Sequence, residues 1–173
     1  MKEKNKQHHQ LLLFKQNAGL SIEYDEDNNT FQFHKLPVCD DIAPLYYYAY
    51  VCINDAIFFF GGYSNFTYSK SVHKYSIREN KWMTFQNTLP NPLCHCAAIW
   101  SEEDNHIHII GGQDNKGKII STHMKTNVRV WDPSQLVYSK NDTKFIIKYL
   151  IRISEIKLGW IDDFDKIIIK YSR

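Results

Sequence analysis

The stretch Ala56-Ile57-Phe58-Phe59-Phe60-Gly61-Gly62 is an apolar run closed by a diglycine. It recurs as Ile107-His108-Ile109-Ile110-Gly111-Gly112, with the glycines fifty residues further on. A fixed period of about 20 to 50 residues marks a repeat architecture and outranks any local assignment. Both runs favour strands, being rich in β-branched and aromatic side chains. The glycines supply what a chain needs on leaving an inner strand: positive φ, and room for a close backbone approach that a Cβ would block.

A second marker follows each diglycine. Tyr75, in Val72-His73-Lys74-Tyr75, is followed seven residues later by Trp82, and Trp131, in Val128-Arg129-Val130-Trp131, is followed seven later by Tyr138. A third pair, Tyr24 and Phe31, precedes them at the same spacing, and Leu36-Pro37 trails it much as Leu89-Pro90 trails Trp82. Paired aromatics bury large flat surfaces between neighbouring layers. The unit occurs about two and a half times along the chain.

In these residues the chain resembles the kelch-repeat family, whose blades have four antiparallel strands, the second ending in Gly-Gly and the third and fourth carrying a Tyr and a Trp. The resemblance implies an all-β fold, a partial kelch-type β-propeller of about two and a half four-stranded antiparallel blades. A full blade at 46–90 would take strands at 48–53, 56–60, 72–76 and 82–85, joined by turn residues such as Asn54-Asp55 and Glu79-Asn80. A divergent blade at 94–140 puts Trp131 where the Tyr belongs and Tyr138 where the Trp belongs, with a longer loop after its diglycine. A partial blade at 11–37 has Leu11 to Phe14 as its second strand, with Lys15-Gln16 in place of the glycines. The repeats therefore occupy 11–140, behind a polar segment at 1–10. Their structural marks are Tyr24, Phe31, Gly61, Gly62, Tyr75, Trp82, Gly111, Gly112, Trp131 and Tyr138. An ordinary antiparallel sandwich is the alternative. A closed ring takes roughly four to eight blades, so this count predicts a propeller that does not close alone and incomplete edges open to self-association.

Residues 141–173 leave the pattern. Phe145, Ile146, Tyr149, Leu150 and Ile153 form a helical stripe. Two apolar runs, at 156–161 and 166–171, flank Asp162-Asp163-Phe164-Asp165 and predict a hairpin around an acidic turn.

Composition narrows the function. A net charge of +2, from 21 basic and 19 acidic side chains in 173 residues, gives no field to hold a polyanion, so nucleic acid is not the expected partner. The apolar run Leu11 to Phe14 is too short for a secretory signal, and no segment approaches the roughly 20 apolar residues of a membrane helix. Cys39, Cys52, Cys94 and Cys96 are too few for a disulfide framework. A cytoplasmic protein with reduced thiols and no membrane association is expected.

Cys94-His95-Cys96 has zinc-competent ligand types but no second cysteine pair at a structural-zinc spacing. His106, His108 and His123 are further candidate ligands, more simply read as the polar face of an edge strand. No nucleophile elbow, P-loop or dinucleotide fingerprint is present. No catalytic residue, metal or cofactor is expected, and no enzyme. The kelch resemblance instead implies a protein-interaction module and scaffold that binds a protein partner through propeller-rim loops at 38–45, 63–71, 91–93 and 113–127. Tyr63, Phe66 and Tyr68 are its candidate anchors, with Gln113 and Asp114 in the facing loop. The alternatives are a kelch-fold enzyme or metal protein, as in the copper oxidase that acts on galactose, or a fragment of a larger kelch protein.

Overall fold

The computed structural model describes residues 9–132. The predicted helix and hairpin of 141–173 and the aromatic Tyr138 lie outside them. The chain divides into two compact units, the boundary falling between Val38 and Cys39.

The described part of the first unit is an antiparallel meander of β1 (His9–Lys15), β2 (Ala18–Asp25) and β3 (Thr30–Leu36), in that order. Gln16 turns the first corner at φ +52°, so Lys15-Gln16 makes a tight turn where a diglycine loop would otherwise leave the strand. Ala18, Leu20 and Ile22 are buried along β2.

The second unit carries two sheets. The first has the order β4-β5-β8-β9, from β4 (Ala49–Ile53), β5 (Ala56–Phe60), β8 (Val72–Ser76) and β9 (Lys81–Thr84), all antiparallel. Between β5 and β8 the chain makes a small ribbon, β6 (Tyr63–Ser64) with β7 (Thr67–Tyr68). The second sheet has the order β10-β11-β12, from β10 (Ala97–Ser101), β11 (His106–Ile110) and β12 (His123–Asn127). The first sheet is the all-β, four-stranded blade that the kelch resemblance implied, with strand ends shifted by one residue at β4 and β9, and the second has three strands among the described residues.

The sheets meet through one core. Phe58 and Phe60 from β5 and Val72 from β8 cluster with Ile107 and Ile109 from β11, and Leu93 closes the seam between them. Each fully buried Phe contributes about 1.5–3 kcal/mol of apolar transfer. β5 is buried on both faces: its other side sets Phe59 against Tyr48 in an edge contact at 5.1 Å and against Trp82 at 5.1 Å.

The structure gives the aromatic spacing a local meaning. Tyr24 pairs with Phe31 and Tyr75 with Trp82 as cross-strand partners, rings 4.8 and 5.0 Å apart, on hairpins with four-residue loops. Each loop ends in an asparagine at positive φ, Asn29 at +50° and Asn80 at +52°, a conformation asparagine tolerates. The same asparagines accept the tyrosine hydroxyls, at 3.0 Å from Tyr24 and 2.8 Å from Tyr75. The third such hairpin is not at Trp131. It is β10–β11, where Trp100 pairs with Ile107 and the Trp100 indole donates to Asn105, itself at φ +54°.

Trp131 lies instead in a single helical turn, α1 (Val128–Trp131), which corrects its placement on a third strand; that strand is β12. The Asn127 side chain accepts from the Arg129 amide at 2.9 Å and so caps the turn as β12 ends. Trp131 then drops into the shared core, edge-on to Phe60 at 5.9 Å and Phe85 at 5.4 Å, its indole N–H donating to Thr126. Just beyond it, Asp132 meets Lys74 of β8 at 2.6 Å, both side chains largely buried, tying the two sheets together.

Candidate functional site

The diglycines aim the rim loops. Gly61 and Gly62 have φ of +67° and +118°, and a Cβ on Gly61 would collide with the Leu93 carbonyl oxygen. Gly112, at +110°, is similarly crowded, since its Cβ would sit 2.6 Å from the Cys94 oxygen; Gly111, at +69°, would meet nothing. After Gly62 the chain doubles back as the β6–β7 ribbon, with Asn65 and Phe66 at positive φ at its tip.

This ribbon acquires a third member. Tyr46 and Tyr63 exchange both backbone hydrogen bonds at 2.8 Å, and Tyr63 pairs with Tyr68 across the ribbon. Three tyrosines thus stand in register, which places them on one face. The Tyr63 and Tyr68 rings meet edge-on at 5.0 Å and are half-buried by this contact. Phe66 at the tip is 94% exposed, so of the three predicted anchors it is the one held wholly in solvent.

The row continues onto the next blade through Tyr47, which sequence reasoning did not select, and His95, which it weighed only as a metal ligand. Tyr47 follows Tyr46 with ring centroids 6.3 Å apart, and the imidazole of His95 stacks on Tyr47 at 4.0 Å. Tyr47 and His95 both adopt left-handed backbone, φ +55° and +54°, and the His95 amide donates to the Tyr47 carbonyl at 2.8 Å. Each is exposed. A bulky L-residue in this region costs about 1–2 kcal/mol relative to glycine, so two stacked aromatics there form a shelf maintained against backbone preference. Its only local sequence signal is position: Tyr47 and His95 each stand two residues before the first strand of their blade.

The facing loop is built differently. Gln113 exchanges backbone hydrogen bonds with Cys94 and bridges to Ile119. Asp114 turns its carboxylate onto its own loop, accepting from the Lys118 amide at 3.0 Å and the Lys116 amide at 2.9 Å, and these bonds hold its carboxyl below the usual carboxylate range. Asp114 therefore shapes the loop with its own side chain, and Gln113 is tied in through its backbone.

The candidate ligands are dispersed. Cys94 and Cys96 are buried while His95 is exposed on Tyr47, and burial together with the neighbouring Cys96 pushes the Cys94 thiol up to about 11. His108 and His123 meet ring nitrogen to ring nitrogen at 2.8 Å, one imidazole donating to the other. His106 turns to the Asp104 backbone oxygen, and Lys125 binds the Asp104 carboxylate at 2.6 Å, which with Ser101 keeps that carboxyl well below the ordinary range. Among the described residues no three His, Cys, Asp or Glu side chains converge as a metal set, and no helix is long and apolar enough to cross a membrane.

Compared with known families, residues 44–87 match the kelch motif, a span that contains the four-stranded blade, the Gly61-Gly62 exit and the tyrosine row up to Tyr68. No curated protein matches the chain.

Proposed function

We propose that this kelch-repeat chain is a protein-interaction module that binds a partner, without catalysing a reaction on it, through the aromatic rim formed by Tyr46, Tyr47, Tyr63, Phe66, Tyr68 and His95. The observation that carries the reading is the Tyr47–His95 stack: two exposed rings, one from each blade, held at 4.0 Å on backbone that favours glycine. Interfaces concentrate their energy in a few rigid aromatic anchors, because such rings bury much area and lose little entropy on binding. Phe66 adds a fully exposed apolar tip beside them.

The left-handed backbone makes a clean test possible. Tyr47→Gly and His95→Gly remove the rings while relieving conformational strain, so both variants should fold at least as stably as the parent. Peptides selected from a random display library on the intact chain should lose at least tenfold in affinity on the double variant, and a similar factor on Phe66→Ala. Peptides that bind parent and variants equally, or a library from which none enriches, would overturn the reading.

A further inference from the structure

Behind the ribbon, a second group of side chains forms a continuous hydrogen-bonded array that the binding reading does not use. His73, on β8 and 1% exposed, places Nε2 2.9 Å from the Ser71 hydroxyl and Nδ1 3.1 Å from the Thr84 hydroxyl of β9. Thr84 donates in turn to Asp41 at 2.7 Å. On the other side Ser71 lies 2.6 Å from the Ser69 hydroxyl, and the Ser71 amide donates to Ser69 at 3.0 Å. One set of proton positions satisfies the whole array: Asp41 accepts from Thr84, Thr84 accepts from His73 Nδ1–H, and His73 Nε2 accepts from Ser71. That tautomer leaves the ring nitrogen facing Ser71 as a base. Ser69 and Ser71 open onto a groove of about 520 Å³ whose wall includes Leu45, Thr67, Tyr68 and Lys70.

A serine hydroxyl on a histidine nitrogen, with that histidine fixed from behind by a polar group leading to a carboxylate, is the arrangement that activates a serine for acyl transfer. We propose that Ser71 is a reactive nucleophile toward small activated acyl donors entering this groove, with His73 as its general base and Thr84 and Asp41 as positioning residues. The step balances within the chain. Ser71 Oγ adds to the acyl carbonyl carbon as its proton passes to His73 Nε2; the bond to the leaving oxygen breaks, His73 returns the proton to that oxygen, and the acyl group stays on Ser71 as an ester. Water, deprotonated by the same nitrogen, then releases the carboxylic acid and restores the hydroxyl. Burial lowers the His73 imidazole below its ordinary 6.5, against a smaller opposing pull from Asp41, so the ring is neutral at pH 7 and Nε2 can accept the proton.

The other blade supplies an internal control. The Gly61 amide donates to the Ser71 carbonyl and the Gly111 amide to the Thr122 carbonyl, so Thr122 is the counterpart of Ser71. Phe59 pairs with His73 and Ile109 with Met124, so the base has no counterpart there.

The test treats the intact chain with p-nitrophenyl acetate and, separately, with an aryl fluorophosphonate, then maps the modified residue by peptide mass spectrometry. The parent should carry the adduct on Ser71 and none on Thr122, whatever any variant does. Ser71→Ala should abolish labelling, and His73→Gln should slow it at least a hundredfold. Thr84→Ser should keep the rate and its single ionisation below pH 6.5, whereas Thr84→Val should lose both. Adducts confined to Lys70 or spread over several serines, no adduct at all, or unchanged labelling in His73→Gln would overturn the proposal. Peptide binding at the rim is read separately, so either result stands without the other.

Discussion

The two rims of the second unit repeat one backbone pattern and fill it with different chemistry. In the first, Tyr46, Tyr63 and Tyr68 are bridged in a row; in the second, Cys94, Gln113 and Ile119 occupy the same row, bridged in the same order. Tyr47 and His95 have nearly the same left-handed φ, and both diglycines donate to the chain returning toward the third strand. The backbone hydrogen bonds belong to the repeat, whereas the tyrosine row and the serine–histidine pair belong to one copy of it, the second copy adding His95 to the aromatic surface. Packing differs too. β5 is buried on both faces, while β11 alternates, with Ile107 and Ile109 inside and Ile110 exposed. The first blade is thus anchored from both sides and carries the specialised side chains.

The largest test of this contrast compares the residues that precede the two diglycines. Phe60 is fully buried among the residues of both sheets and Ile110 is 43% exposed. Phe60→Ala should cost about 3–5 kcal/mol, from lost transfer energy and the cavity left beside Trp131. Ile110→Ala should cost less than about 1 kcal/mol. Denaturant midpoints at constant slope would measure both, and equal losses would show that the two strands are equally committed to the core.

Next in size is the contrast between the glycines. Gly61→Ala meets both an unfavourable φ and the Leu93 carbonyl, which is backbone and cannot rotate away; a loss of about 3 kcal/mol is expected. Gly111→Ala meets only the φ and should cost about 1 kcal/mol. The same denaturation series distinguishes them, and a Gly111 variant as damaged as the Gly61 variant would mean that the crowding at Leu93 is not what makes the first diglycine necessary.

The sequence made the blade legible where structure is local. Strand β5, its diglycine exit and the Tyr75–Trp82 pair follow from composition and spacing alone, because hairpin register and strand propensity act within a dozen residues. The spacing of seven misled at Trp131 because two aromatics at that distance are an incomplete signal. The fuller one is an aromatic with an indole or phenol donor followed five residues later by asparagine: Tyr24 and Asn29, Tyr75 and Asn80, Trp100 and Asn105. Trp131 is followed at that position by Leu136. Of the candidate site, Phe66 was legible as a loop aromatic, but the Tyr47–His95 shelf was not. Its two rings are 48 residues apart and meet only because consecutive blades stack their first strands side by side. The array from Asp41 through Thr84 and His73 to Ser71 was hidden for the same reason, since it joins an interblade connection to two strands.

The smallest effect concerns His73 and separates the blades by pH. Burial lowers its folded-state pKa below the ordinary 6.5, so between those two values the unfolded chain binds more protons than the folded one. The stability held by the neutral, hydrogen-bonded ring is therefore complete above pH 6.5 and falls as pH drops toward the lowered value. Met124, the counterpart in the second sheet, has no titration, so His73→Met transfers the second blade's side chain into the first and should remove this part of the acid slope. Every other group is common to the two proteins, so the informative quantity is the difference between parent and variant, measured by denaturation at pH 7.5 and at pH 5.5. A smaller parent advantage at the lower pH is the expected result. A difference that does not change with pH would mean that His73 is held by packing alone, with its hydrogen bonds to Ser71 and Thr84 contributing nothing that depends on its charge.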